Sequence, residues 1–389
     1  MTPLAEAQAR LLANVQPVPA ECAALENAAG RWLAEPLIAL RSQPARDLSA
    51  MDGYAVRAAD PGPWRLIGES AAGAQFRGTV AAGEAVRIFT GAVVPDGADT
   101  VIMQEYVRAA QSVISQTQSP ALTLAVNVRI AGSDFNKGLT VIPPGTKLSA
   151  KHIGLAAMAG YGALPVRRKL VIALISTGDE LIAPGAPAAD DQIPSSNAPM
   201  LAALLTDWPA IISCYHAADK IGALSELLEA QNTADIIVTL GGASVGDHDL
   251  VRPAIEAAGG TIDVWKVAMR PGKPLIIGRL GAATVLGLPG NPVSAYVTAH
   301  LFLLPLIRAL MGDPHPLPRP VKLRLGALLP ANGARTDHVR ARLVDGVIMP
   351  VPGQDSAGLL RLSEADGLIV RLPGAAPAST GDDVLFFFA

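Results

Sequence analysis

Between Lys169 and Met311 the chain alternates short, unbroken apolar runs with stretches of helical period, and no other feature restricts the fold as much. The runs are RKLVIALIS, IISCY, DIIVTL, TIDVWKVA, PLIIGRL and ATVLGLP. They are rich in β-branched residues and apolar at consecutive positions, as expected of strands covered on both faces. Helices are expected between and after them, near 197–206, 220–231, 249–258 and 292–311. Strands alternating with helices predict a parallel or mostly parallel sheet flanked by helices. The last helical segment, PVSAYVTAHLFLLPLIRALM, is long enough to cross a bilayer, but it contains His300, Pro305 and Arg308. It reads as a buried core helix, not a span.

The flanking regions have a different texture. An amphipathic helix is expected over 3–15. From 47 to 142 short apolar runs (WRLIG, AVRIFTG, TVIMQEY) alternate with Gly and Pro turns, which predicts a β-rich domain. SAKHIGLAAMAGYG reads as a helix with Ser149 as N-cap and Gly160 or Gly162 as its stop. After the linker PHPLPRP the sequence alternates apolar with polar residues and offers no helix, so 314–389 is expected to form a small β domain.

Half of the 389 residues are hydrophobic and 17% are charged, enough for a sizeable core. Lys plus Arg total 31 against 34 Asp plus Glu, a balance that argues against a nucleic-acid partner. Cys22 and Cys214 form no CxxC pair and are expected to be reduced, partly buried thiols. The N-terminal segment lacks the apolar core of a signal peptide, so a cytoplasmic protein without a membrane partner is expected.

In open α/β sheets ligands gather at the carboxyl ends of the strands. The loops there carry Ser176, Thr177, Gly178, Asp179 and Glu180; then Asp219; then Gly241, Gly242, Ser244, Gly246, Asp247 and Asp249; then Arg270 and Lys273; and finally Gly290, Asn291, Pro292 and Ser294. Glycines let backbone N–H groups approach a phosphate, and helix N-termini add partial positive charge. Arg270 and Lys273 suit phosphate oxygens. Carboxylates on the same rim would repel such a ligand unless a cation lay between them, and Mg²⁺ suits that role. Each loop also has a plainer reading. Thr177, Asp179 or Asp219 can cap a helix, GGASVG and LPGNP can be turns, and Arg270 or Lys273 can be solvated charges. No P-loop, GxGxxG or HExxH pattern is present. His248 stands between two aspartates in the Gly-rich loop. In the β-rich region, Asp52-Gly53 reads as a turn, and Thr90, Arg129 and Asp134 stand out only weakly.

Taken together, SAMDGYAV (49–56), FTGAVVPDGADTVIMQE (89–105), STGDEL (176–181), GGASVGDHD (241–249), MRPGKP (269–274) and GLPGNPVSA (287–295) resemble the molybdopterin molybdenumtransferase family of MoeA-like proteins, which includes the C-terminal part of gephyrin. The match runs in order along nearly the whole chain. The resemblance implies a multidomain α/β plus β fold. Residues 1–46 with 143–168 would form a linker and dimerisation domain, and 47–142 a β-rich domain. Residues 169–313 would form a three-layer α/β molybdopterin-binding domain, and 314–389 a β-barrel-like domain. It implies Mg²⁺-dependent insertion of molybdenum from molybdate into adenylylated molybdopterin with release of AMP. It further implies a homodimer, an active cleft shared with the second domain of the partner, and contact with other cofactor-biosynthesis proteins. By matching motif, the catalytic positions are Asp52, Thr90, Glu180, Asp219 and Asp249, the last three also holding the metal. Arg129, Asp134, Ser176, Thr177, Gly178, Asn197, Gly241, Gly242, Ser244, Gly246, Arg270, Lys273, Pro289, Gly290, Asn291 and Pro292 would bind substrate. IPSSN (193–197) and VRIAGSD (128–134) depart from the family pattern. Two other readings stay open: adenylyl transfer to molybdopterin, and a non-catalytic pterin-binding scaffold.

Overall fold

The structure, a computed structural model, describes residues 1–117, 122–242 and 250–389. They fall into two compact units, one of 1–21, 30–34 and 165–389 and one of 22–29 and 35–164.

The first unit is built on a six-stranded sheet, in the spatial order Ala210–Ala217, Leu170–Thr177, Ile236–Leu240, Ala283–Leu288, Ile276–Leu280, Thr261–Trp265. The first four strands are parallel, and the last two join antiparallel. The continuous apolar character of Leu170–Thr177 follows from its two covered faces. Leu170, Ile172 and Leu174 enter one core with the Asn197–Leu204 and Pro292–Leu310 helices. Ala173 and Ile175 enter a second core with the helices Ile221–Ala230 and Val251–Ala257. The sheet is therefore the middle of three layers, mostly parallel as expected.

Three local expectations need correction. The 292–311 segment is not one regular helix: Pro292–Thr298 is α-helical, Ala299–Leu303 is π-helical and Leu304–Leu310 is α-helical again. Pro305 has no N–H to donate and its ring crowds the preceding turn, so a wider turn just before it relieves both. This stretch is long and apolar enough for a membrane span, but 67% of it is buried in the protein. The C-terminal region does contain a helix, Leu359–Ser363. Cys22 and Cys214 are both exposed, not partly buried.

The C-terminal β region closes on itself. Val321–Leu325, Thr336–Val344, Val347–Pro350, Gly367–Arg371 and Asp383–Phe388 pair in a complete circuit, with Met269–Arg270 added alongside Thr336 and Asp337. Where the barrel meets the Pro292–Leu310 helix, Phe387 lies between His300 and His338. Among the described residues, His300 Nε2 and His338 Nδ1 are buried without a hydrogen-bond partner. Burial holds both imidazoles down to about 4, against an ordinary 6.5. The folded chain thus binds fewer protons than the unfolded chain between those values. Stability is full above pH 6.5 and is lost as pH falls toward 4, by on the order of 3 kcal/mol per histidine. Melting temperatures measured across that window are expected to drop steeply, and a His300→Phe/His338→Phe variant is expected to flatten the profile.

The second unit carries another six-stranded sheet, in the order Thr100–Met103, Gly53–Val56, Glu84–Ile88, Trp64–Ser70, Val113–Gln116, Val107–Ala110. Its helix Ala150–Ala159 starts where Ser149 N donates to His152 Nδ1 at 3.1 Å and stops at Gly160, which has φ +105°. Both ends were readable from the sequence.

Candidate functional site

The loops at the carboxyl ends of the parallel strands pack backbone against backbone. Gly241 and Gly242 have φ +103° and +62°, the left-handed region where glycine is at ease. A Cβ on Gly241 would stand 2.6 Å from the Thr177 carbonyl oxygen, and one on Gly242 would stand 2.9 Å from Thr177 Oγ1. A Cβ on Gly290 would meet Gly241 Cα at 3.4 Å. The STGDEL, GG and LPGNP turns therefore form one surface, and no side chain fits between the first two. A fourth segment joins through Asn197, whose Nδ2 donates to the Gly290 carbonyl at 2.7 Å. A fifth joins through Asp219, whose backbone N donates to Asp179 Oδ1 at 3.1 Å. Ser244, Gly246 and Asp249, together with His248, lie outside the described residues.

Several polar atoms on this surface are buried with no partner among the described residues: Ser176 Oγ, Thr177 Oγ1, Thr239 Oγ1 and Asn197 Oδ1. Folding normally satisfies such groups, because an unmade buried hydrogen bond costs about 1–3 kcal/mol. Three of them stand near the carboxyl ends of the interior strands Leu170–Thr177 and Ile236–Leu240. Substituting Gly242 by alanine is expected to open the Thr177 contact, costing about 1 kcal/mol or more of stability through the left-handed backbone and weakening ligand binding besides, which titration calorimetry beside a urea melt would read.

Arg270 and Lys273 project to a cavity of about 580 Å³, on whose wall the barrel contributes Arg335, Asp337, His338 and Ser356. Four cationic residues line it against two carboxylates. One cation, Arg371, is already engaged by the Pro330 and Ala376 carbonyls. Arg270 pairs with Asp337, and the carboxylate raises the pKa of the guanidinium further above its ordinary value. Pro289 is buried beneath the LPGNP turn, and Pro292 opens the helix where a missing N–H costs nothing. Asn291 does not cap that helix; its Nδ2 reaches Ser356 Oγ at 3.1 Å. The barrel residues of this wall escaped the sequence reading. The signal for them was a cluster of polar residues, Asp337, His338 and Arg340, on a strand where one face should have been apolar.

Glu180 and Asp219 are exposed carboxylates on adjacent loops. No set of three metal-binding side chains is assembled among the described residues. Two carboxylates still fit Mg²⁺, which commonly takes one or two of them and fills its shell with water and phosphate oxygens.

In the second unit Asp52 and Thr90 do come together. Asp52 Oδ1 accepts from Thr90 N at 2.7 Å and from Thr90 Oγ1 at 2.8 Å. These two bonds, the backbone one first, hold the Asp52 carboxyl below its ordinary range, so it is ionised at neutral pH. The chain bends at Met51 and Asp52, directly before Gly53. Gly53 begins a strand paired on both sides. Arg129 sits opposite Leu48 in a short antiparallel pair, and Asp134 N donates to the Gln43 carbonyl at 3.0 Å. Among the described residues no hydrogen bond links either one to Asp52 or Thr90.

Three family sequence profiles match the chain. They are described as the MoeA N-terminal region (domain I and II), over residues 2–160; a probable molybdopterin binding domain, over 173–309; and the MoeA C-terminal region (domain IV), over 322–388. The chain is 36% identical over 375 residues to a molybdopterin molybdenumtransferase of Nostoc sp., covering 92% of this chain and 86% of the relative. It is 36% identical over 320 residues to one of Haemophilus influenzae, covering 80% and 78%. A solved molybdopterin biosynthesis MoeA protein from Pyrococcus horikosii matches with a TM-score of 0.85 at 28% identity, over 100% of this chain and 99% of that one.

Proposed function

The chain belongs to the MoeA family of molybdopterin molybdenumtransferases, enzymes of molybdenum cofactor biosynthesis, and on that premise we propose that it takes adenylylated molybdopterin and molybdate, inserts the metal and releases AMP. The observation that carries this reading is the joint surface of the STGDEL, GG and LPGNP turns, with buried hydroxyls that have no partner among the described residues, beside a cationic cavity. The glycine turns and hydroxyls would hold the pyrophosphate. Arg270, Lys273 and Arg335 would hold the tetrahedral oxoanion by charge-assisted bonds. Glu180, Asp219 and Asp249 would hold Mg²⁺, which would neutralise the charge between carboxylates and pyrophosphate. The protein's part is orientation and charge stabilisation. A cytoplasmic homodimer belongs to the same proposal, and light scattering tests the dimer.

The direct test is AMP release from adenylylated molybdopterin on adding molybdate and Mg²⁺, and its abolition by a chelator. Substrate binding without any AMP release by the unaltered chain would sink the reading. Asp52→Asn keeps an oxygen for Thr90 but removes the charge. It is expected to slow AMP release about 10²-fold or more while the fold persists, as for loss of a group that moves a proton or stabilises charge.

A further inference from the structure

Arg340 is 1% exposed, yet its charge faces no carboxylate in an ion pair among the described residues. It is spent on a loop. Nη2 donates to the Gly353 and Asp355 carbonyls at 2.9 and 2.8 Å, Nη1 to Gly358 at 3.1 Å, and Nε to Gln354 Oε1 at 3.4 Å. Gln354 answers with its own Nε2, which donates to the carbonyls of Arg340 and Val351 at 3.0 and 2.7 Å. Burial alone works against the charge, and Asp355 offsets only part of that.

The loop so gathered is a wall of the cationic cavity, where Gln354, Asp355 and Ser356 line it. It is also pinned to the LPGNP turn. The Ser356 carbonyl accepts from Val293 N at 3.1 Å, and Ser356 Oγ accepts from Asn291 Nδ2 at 3.1 Å. A buried guanidinium is a poor choice for stability alone, since an apolar side chain of similar volume often serves better. It is a good choice for fixing three carbonyls that diverge from one point, because its planar fork fixes several acceptors at once.

We propose that Arg340 is a positioning residue for the oxoanion cavity: it shapes the 353–358 loop so that this wall stays seated on the LPGNP turn and the cavity keeps its cationic residues in register. The inference rests on the oxoanion reading of that cavity given above. Lysine cannot replace it, because an ammonium presents a single point to acceptors spread over six residues.

Arg340→Lys and Gln354→Leu are to be compared with the unaltered chain for molybdate affinity by titration calorimetry, for KM and kcat in AMP release, and for melting. The expected result is a KM for molybdate raised about 10- to 100-fold in Arg340→Lys, the scale seen when outer-shell partners of a bound ion are lost. At saturation kcat is expected to stay within about twofold, since the reacting groups are untouched. Gln354→Leu is expected to move KM the same way by less, and it decides the matter if Arg340→Lys does not fold. A folded variant with lowered melting temperature but unaltered KM and affinity would overturn the inference. An unaltered chain that binds no molybdate would overturn the cavity assignment itself, and the inference with it.

Discussion

Replacing Arg270 and Lys273 together by alanine is expected to weaken molybdate binding about 10³-fold. A hydrogen bond to a charged group contributes roughly 1.5–3 kcal/mol, so each loss costs about 10- to 100-fold. Both side chains reach the same 580 Å³ cavity, and Arg371, another cation lining it, has its Nη2 held by the Pro330 and Ala376 carbonyls. Arg270 also covers Asp337, whose side chain is only 10% exposed. The alanine pair would leave that carboxylate facing the ligand and add repulsion to the lost attraction. Adding Asp337→Asn to the pair should therefore recover part of the affinity. Calorimetric titration at fixed ionic strength measures all three proteins. A pair variant within twofold of the unaltered chain would remove these cations from the site.

Gly53→Ala is expected to destabilise the β-rich unit by about 3 kcal/mol or more, near the upper end for a single added methyl. A Cβ at Gly53 would stand 1.9 Å from the Ile102 carbonyl oxygen. Relaxation is blocked on both sides, since Gly53 pairs with Ile88 on one strand and Met103 on the other, and its carbonyl accepts from Arg87 Nη1 at 3.0 Å. Asp52 and Thr90 straddle the same point, so activity should fall together with stability. Urea unfolding followed by circular dichroism reads the change. An unchanged midpoint would mean that the strands part more easily than their pairing suggests.

The two glycine patterns show what a sequence discloses and what it hides. Gly241 and Gly242 stand at a strand end in a run of turn formers, so a special backbone there could be read directly, but their close approach to Thr177, sixty-four and sixty-five positions earlier, could not. Gly53 follows an aspartate, so it read only as part of a turn. The chain crossing over it, at Ile102, is forty-nine positions away and leaves no local trace. The same separation concealed the barrel's share of the cavity. Arg335 and Ser356 come within reach of Lys273 only after the Met269–Arg270 segment pairs with Thr336 and Asp337. The parallel strands were legible because burial on both faces writes an unbroken apolar run. Their spatial order and the antiparallel turn at Gly281 were not, since alternation of elements says nothing about which neighbours pair. Pro305 was visible in the last helix, but the wider turn ahead of it was not, because the core decides whether a proline breaks a helix or is absorbed.

Closing the C-terminal strands into a ring also has a colloidal consequence. A ring has no outermost strand, so its backbone amides and carbonyls offer no template for another chain to extend. The α/β sheet lacks that protection: it ends in the eight-residue strand Ala210–Ala217, where Ile211 is 56% exposed. Edge-to-edge self-association during refolding should therefore begin on that flank, and a lysine placed at Ile211 would be the natural way to discourage it.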